Sequence, residues 1–175
     1  PLDGTTNFIH RFGVFAVSVA CAVEGEVIAG AVLDPSRGEL FSAGRGEGAF
    51  LDGKPIQVSD RASVSGGLVA TGFPFRRHER FDAYMDSFRS VFPHVAGIRR
   101  AGSAAIDLAC VACGRFDGFW EEGLGPWDMA AGGLLIEEAG GAVSDFRGGR
   151  DFLESGTIVA GTRGLQPELR ALIAP

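Results

Sequence analysis

The chain has 175 residues, of which 46% are hydrophobic and 22% are charged, a composition typical of a folded domain with a substantial core. A formal net charge of -6 argues against a nucleic-acid partner, because phosphate backbones are bound by clustered Lys and Arg. The odd count of three cysteines argues against a disulfide framework and favours the cytoplasm, and the longest apolar stretch, 13–23, is too short to span a membrane.

The first third of the chain predicts an antiparallel meander of short strands. Larger and smaller residues alternate over 15–23, which is the period of a strand with two unequal faces. A turn leads into a second predicted strand at 27–33. Further strands are predicted at 39–42 and at 49–51, and the latter is followed by Asp52-Gly53, a hairpin signal.

The rest of the chain mixes predicted helices with predicted strands. Apolar residues recur at helical spacing from Phe81 to Phe92, and Pro93 ends this helix. Ser103 is a candidate N-cap for a nearly all-apolar helix that ends at Gly114, so we expect this helix to be buried. We therefore expect one layered α/β domain over residues 1–175. The remaining predicted elements are strands at 68–73, 116–121, 142–145 and 157–160 and helices at 126–139 and 165–173.

Two acidic turns carry the candidate chemistry. In the first, the carbonyl of Leu2, the carboxylate of Asp3 and the hydroxyl of Thr5 form an all-oxygen ligand set suited to Mg2+. Gly4 allows the backbone to approach an anion closely. In the second turn, Asp128 lies in the first turn of a predicted helix. Each acid also has a purely structural interpretation, since Asp-Gly is a common turn and a carboxylate stabilises a helix N-terminus.

These turns, with further motifs between and after them, resemble the inositol monophosphatase family, and its bacterial members in particular. The resemblance implies the alternating sandwich of helices and sheets shared with fructose-1,6-bisphosphatase. It also implies a Mg2+-dependent, lithium-sensitive phosphoric monoester hydrolase that is a homodimer in its intact form. The implied substrate is a phosphorylated polyol, above all inositol monophosphate. The matching segments occur in order at 1–8, 100–105, 114–121, 127–132 and 138–141.

The resemblance implies roles for the residues of the two acidic turns. Asp3, Asp128 and the carbonyl of Leu2 are the implied metal ligands, and both acids also border the substrate. Thr5 is implied to orient the attacking water, so Thr5 and Asp3 are the implied catalytic residues. The backbone N–H groups of Gly4 and Thr5 are implied to hold the phosphate.

A second set of residues is implied to recognise the alcohol of the substrate. Glu121 matches a family position that accepts hydrogen bonds from substrate hydroxyls, which suits a carboxylate. Gly102, Ser103 and Ala104 match a turn that lines the polyol pocket. The structural alternatives are a solvated acidic pair for Glu121 and a helix cap for Ser103.

One departure from the family pattern lies at the first residue. In the family an aspartate directly precedes the proline that corresponds to Pro1, and an upstream helical segment supplies a glutamate that binds metal and activates water. Neither precedes Pro1 here. We therefore expect this chain to be a fragment that lacks the first helical layer, and to be inactive on its own.

Two other functions remain open. Within the enzyme class, the substrate would be fructose 1,6-bisphosphate, histidinol phosphate or a 3'-phosphonucleotide. A protein of a different class would be a non-catalytic regulatory or binding protein that retains the fold. Its partner surface would include four arginines: Arg76, Arg77, Arg99 and Arg100.

Three features are predicted to be structural. Cys110 and Cys113 form a C-x-x-C in an apolar stretch without a second pair, so we interpret them as buried small residues. The pair 99–100 is interpreted as solvated charge. Trp120 and Trp127 are expected in the core.

Overall fold

The computed structural model describes residues 2–75 and 77–173. Its first half is a six-stranded antiparallel sheet whose strands follow one another in chain order, with one short helix between the first two. This arrangement confirms the predicted meander. The elements are β1 (Leu2–Asp3), α1 (Thr5–Ile9), β2 (Ala16–Val23), β3 (Glu26–Asp34), β4 (Glu39–Gly44), β5 (Gly48–Leu51) and β6 (Lys54–Pro55).

The second half contains a five-stranded mixed sheet and five helices. Its elements are β7 (Leu68–Thr71), α2 (Phe81–Val91), β8 (Gly97–Arg99), α3 (Ala104–Ala112), β9 (Gly118–Glu122), α4 (Pro126–Glu138), β10 (Ala142–Ser144), α5 (Phe152–Ser155), β11 (Thr157–Gly161) and α6 (Leu165–Ile173). The strand order is β10-β11-β9-β7-β8, with β7 parallel to both β8 and β9. Short 3-10 turns at His78–Arg80 and Phe92–His94 flank α2.

Alternating side chains of the second sheet supply two separate cores. Ala70 and Phe119 point into a core shared with α3, α4 and the first sheet. Their strand neighbours Val69 and Trp120 point the other way, into a smaller core with α2 and α6. The layers are therefore sheet, helix pair, sheet and helix pair, as predicted for the family fold.

Small residues let α4 lie directly against the first sheet and against α3. A Cβ atom on Gly30 of β3 would lie 2.8 Å from the Cα atom of Ala131. A Cβ atom on Gly132 would lie 2.5 Å from the Cβ atom of Leu108 in α3. A larger residue at position 30 or at position 132 would therefore push these elements apart. The hydroxyl of Ser18 on β2 also donates to the Trp127 carbonyl at 2.9 Å, which fixes the beginning of α4 against the first sheet.

The larger side chains of β2 lie on the outer face of the first sheet. Ala16 and Ser18 are buried against the helices, whereas Val17, Val19 and Val23 are 41%, 58% and 51% exposed. The two unequal faces predicted from the alternation are confirmed over 16–19, with the smaller residues buried, whereas both faces are exposed over 20–23. Within residues 2–75 and 77–173, no helix combines the length and the apolar character that crossing a membrane requires.

Candidate active site

The first acidic turn lies where β1 ends and α1 begins. Asp3 pairs with Ala16 of β2, and the chain then turns at Gly4, whose φ is +80°. A Cβ atom at this position would lie 2.8 Å from the Val14 carbonyl oxygen, so only glycine fits. Thr5 begins a helix that the sequence did not predict. Its hydroxyl donates to the carbonyl of Leu2 at 3.4 Å.

Asp3 is held by three hydrogen bonds, two of which join the first turn to the beginning of α3. Its Oδ1 atom accepts from the Gly4 N–H at 2.7 Å. Its Oδ2 atom accepts from the Ser103 hydroxyl at 2.7 Å and from the Ala105 N–H at 2.9 Å. Because Asp3 is fixed from both sides, its carboxylate keeps one orientation in the pocket.

The N-terminus of α3 is capped as predicted. The Ser103 side chain accepts from the Ile106 N–H at 3.4 Å and is buried. Asn7 of α1 donates both to the Val14 carbonyl at 2.8 Å and to the Ala101 carbonyl at 2.9 Å. These bonds hold the 101–103 turn against the first acidic turn.

The second acidic turn places Asp128 in the first turn of α4, as predicted. Its Oδ2 atom accepts from the Gly125 N–H at 2.9 Å, a capping bond that satisfies a donor at the helix start.

Trp120 is buried as expected, but the prediction of a core position is wrong for Trp127, which is 59% exposed. At the second residue of α4, Trp127 lies at the rim of the site instead.

A single pocket of about 660 Å3 collects most of the predicted site residues. Its acidic members are Asp3, Asp128 and the adjacent pair Glu121 and Glu122 at the end of β9. Ala104 lines a smaller adjoining cavity of about 60 Å3, whereas Ser103 lies beneath the surface. The other predicted residues that line the large pocket are Leu2, Gly4, Thr5 and Gly102.

Burial and charge act together on Glu121. Burial is the main cause that raises the pKa of Glu121 to about 8, and the nearby Asp3 and Asp128 raise it further, while Arg100 opposes them. The side chain occupies the space that a Cβ atom on Gly72 would fill. Any larger residue at 72 would displace the Glu121 carboxyl.

Three of the four arginines predicted for a partner surface lie among the described residues, in different surroundings. Arg99 is exposed, but the guanidinium of Arg100 lies 5.5 Å from the ring centre of Phe73 and 5.2 Å from that of Phe75 and lines the pocket. Both arginines are exposed, which agrees with the interpretation as solvated charge, and Arg100 also borders the pocket. Arg77 also lines the pocket, and Arg76 lies outside the described residues.

One buried acid near the site was not predicted. Asp107 is the single charged residue of α3 and is 1% exposed. Burial, followed by Glu121 and Asp3, raises the pKa of Asp107 well above its ordinary value, against the effect of Arg100. The sequence did contain a signal, because an acid in an otherwise apolar helix is unusual.

The residues of the two turns suit a hard divalent cation. The Asp3 and Asp128 carboxylates and the Leu2 carbonyl supply oxygen ligands at one pocket, and Mg2+ typically takes one or two carboxylates plus water and substrate oxygens. Across 2–75 and 77–173, no three His, Cys, Asp or Glu side chains are grouped closely enough to hold a metal ion by themselves. The donor set therefore fits Mg2+ when water and phosphate complete it.

The fold and the pocket define a layered α/β protein with an acidic, open site between two sheets. The chain belongs to the inositol monophosphatase family, whose family model matches residues 1–175.

Three relatives show the range of similarity. The Nus factor SuhB of Pseudomonas aeruginosa is 55% identical, over 100% of this chain and 65% of its own length. The inositol-1-monophosphatase of Mesorhizobium japonicum is 46% identical, over 97% of this chain and 64% of its own length. The solved structure of inositol monophosphatase from Anabaena has a TM-score of 0.95 at 41% identity, over 100% of this chain and 72% of that chain. The chain thus spans slightly less than two thirds of the two curated relatives.

Proposed function

We propose that the protein hydrolyses phosphate monoesters of small polyols in a Mg2+-dependent reaction, with inositol monophosphate as the leading substrate. The observation that carries this proposal is the meeting of Asp3, Asp128 and Glu121 at one pocket. The first two acids come from turns more than 120 residues apart in the sequence. Such convergence of carboxylates is typical of phosphate-ester sites that use divalent cations.

Asp3, Asp128 and the Leu2 carbonyl would hold the metal. When bound, Mg2+ would supply Lewis-acid stabilisation of the leaving oxygen and a more acidic water. The hydrogen bonds from Gly4, Ser103 and Ala105 keep the Asp3 carboxylate oriented for this task. Family membership supports the metal, and the residue assignment is our proposal.

The first turn would bind the phosphate and orient the water. The Thr5 N–H and the Gly4 N–H lie at the start of α1, beside the Asp3 carboxylate. The Gly4 N–H already donates to Asp3 at 2.7 Å, so a bound phosphate has to share or replace this bond. The Thr5 hydroxyl, which donates to the Leu2 carbonyl, would instead form a hydrogen bond with the attacking water.

Glu121 and the 102–104 turn would select the alcohol. Glu121 and Gly102 line the same pocket as the first turn. A metal ion bound to Asp3 and Asp128 would offset the negative charge of these two carboxylates. The pKa of Glu121 would therefore be lower than in the metal-free protein. Glu121 then accepts hydrogen bonds from the hydroxyls of the leaving alcohol.

The proposal extends to the intact protein. It would be a lithium-sensitive, cytoplasmic homodimer, and residues 1–175 would form a single domain of it. This chain alone would be inactive, because its site holds only Asp3 and Asp128, whereas the family pattern uses two further carboxylates for metal. A missing ligand weakens a Mg2+ site strongly, since this cation is held by few protein groups.

A second candidate function is a regulatory role in transcription. The observation that favours it is the 55% identity to a protein named Nus factor SuhB. A nucleic-acid partner is therefore compatible with the intact protein, despite the net negative charge of this chain. If the intact protein releases no phosphate from any of the monoesters tested, the second function is favoured over the first.

Replacement of Glu121 by Gln tests the proposed substrate class. In the intact natural protein, E121Q is expected to lower kcat/KM for inositol 1-phosphate by about tenfold or more, the scale of one unsatisfied buried hydrogen-bonding group. The loss should be small for an aryl phosphate, which lacks those hydroxyls. Steady-state phosphate release provides the measurement, with fructose 1,6-bisphosphate, histidinol phosphate and a 3'-phosphonucleotide as competing substrates.

The matched control is D86N, which removes a charge from a side chain that is 75% exposed on α2. It should leave all of these rates unchanged. Equal losses for the inositol and aryl phosphates in E121Q would show that Glu121 does not recognise the alcohol.

A further inference from the structure

Asp107 is an acid without a visible structural purpose. It lies in the first half of α3, where every residue is buried, and its Oδ1 atom is buried without a hydrogen-bond partner. An unsatisfied buried polar atom costs free energy, and an apolar residue at this position would avoid that cost. Such a group is retained where it serves a purpose other than stability.

The surroundings of Asp107 connect it to the proposed site. It lines the small cavity of about 60 Å3 together with Glu121, Asp3 and Arg100. This volume is enough for a water molecule. Gly72, which also lines the cavity, leaves the space that the Glu121 side chain occupies. Asp107 and Glu121 therefore border the same small cavity.

We propose that Asp107 is a positioning residue for alcohol recognition, whose carboxyl donates a hydrogen bond, through one water in the small cavity, that holds Glu121 in place. This inference rests on the proposed function, because it assigns Asp107 a role through the residue that binds the substrate hydroxyls. Asp107 itself touches neither the substrate nor the metal in this proposal.

The charges around Asp107 support a neutral, donating carboxyl. Glu121 and Asp3 face it, and both disfavour a further negative charge. Arg100 is the facing cation, but it is stacked on Phe73 and Phe75, and no salt bridge joins it to Asp107. The next ionisable group along α3 is the thiol of Cys110, whose pKa burial raises to about 12, so it too carries no charge near neutral pH.

A neutral carboxylic acid has one O–H donor, and a carboxylate has none. Glu121 is the acceptor for this O–H donor, through the water. Burial disfavours the charged form of Glu121, so a hydrogen bond to its carboxylate offsets part of that cost. A donor beneath it fixes its rotamer and favours its ionised form. A preorganised acceptor of this kind lowers the cost of ordering the site when the alcohol binds.

The test compares D107N, which keeps an N–H donor at all pH values, with D107L, which has none. In the intact natural protein, D107L is expected to raise KM for inositol 1-phosphate and lower kcat/KM by about tenfold, with little change in kcat. Hydrolysis of an aryl phosphate should stay within about twofold. D107N should stay within about threefold of wild type on both substrates, and the melting temperature of D107L should be equal or higher.

A double-mutant cycle with E121Q separates this proposal from its alternatives. Because Asp107 acts through Glu121, D107L should have no further effect in the E121Q background. Additive losses, a D107N variant as impaired as D107L, or equal losses on both substrates would each overturn the proposal. If D107L does not fold, D107A removes the donor with a smaller change in shape and serves in its place.

Failure of the proposed function would be visible in the same experiment. A wild-type protein that prefers another ester of the panel would overturn the inositol assignment, and the cycle is then measured with that ester. Loss of coupling between Asp107 and Glu121 on the preferred ester would overturn the inference about Asp107 alone.

Discussion

D128N in the intact natural protein is expected to reduce Mg2+-dependent phosphate release by on the order of 10²- to 10³-fold, the scale for loss of one charge-stabilising group in an active site. A neutral amide is a poor ligand for a hard cation. The amide oxygen can still accept from the Gly125 N–H, as the Asp128 Oδ2 atom does at 2.9 Å. The start of α4 should therefore remain intact, and the melting temperature should change little.

D3N should remove activity to a similar extent but at a greater cost in stability. Both oxygens of Asp3 accept hydrogen bonds, from Gly4 on one side and from Ser103 and Ala105 on the other. An amide at this position directs its NH2 group at one of these donors, which costs about 1–3 kcal/mol per unsatisfied group. Thermal unfolding of D3N beside D128N measures this difference.

The matched control for both substitutions is again D86N, on the exposed face of α2. Near-normal turnover in either D3N or D128N would contradict the proposed metal site. Equal melting temperatures for the two variants would contradict the hydrogen-bond pattern around Asp3.

E121Q is expected to flatten the dependence of stability on pH in the metal-free protein. The pKa of Glu121 is raised from 4.5 to about 8, so the folded protein holds a proton that the unfolded chain releases in this interval. The stability contributed by this group is complete below about pH 4.5 and is lost as the pH rises toward 8. The loss is at most ~1.4 kcal/mol per pH unit for one group.

Urea unfolding in the presence of a chelator, at pH 5 and at pH 8.5, provides the measurement. Wild type should lose several kcal/mol between these values, and E121Q should lose distinctly less. Part of the decline should persist in E121Q, because the raised pKa of Asp107 acts in the same direction. E154Q, a substitution at an exposed position in α5, is the control. Parallel pH profiles for E121Q and wild type would rule out a proton on Glu121.

The elements that the sequence predicted are those whose local signals agree with their packing. The meander followed from alternation and turn residues, and α4 followed from an apolar segment that begins at Pro126 and is followed by Gly140. The buried helix α3 followed from its apolar composition and its cap at Ser103. These features are local, so a sequence contains them in full.

The elements that were missed depend on contacts from distant parts of the chain. Helix α1 is five residues long, too short to be stable by its own propensity, and Asn7 holds it through the carbonyls of Val14 and Ala101. Strand β8 has three residues and exists by pairing with β7. Neither contact can be inferred from local spacing.

The same limit applies to the site. The two acidic turns were recognisable as motifs, and the family resemblance implied that they bind metal together. Local spacing alone does not show this, because their meeting in one pocket depends on how α4 lies against the first sheet. The exposure of Trp127 and the stacking of Arg100 on two aromatic rings likewise follow from tertiary packing. The involvement of Asp107 requires the cavity itself, which no linear pattern describes.

The most direct test of the central claim is to locate the metal. Crystals of the intact natural protein grown with phosphate and Mn2+, a hard cation that accepts the same oxygen ligands, would give an anomalous signal at each metal position. We predict a peak within coordination distance of the Asp3 and Asp128 carboxylates and the Leu2 carbonyl. Metal peaks that lie elsewhere, with the Asp3 and Asp128 carboxylates both uncoordinated, would contradict the account.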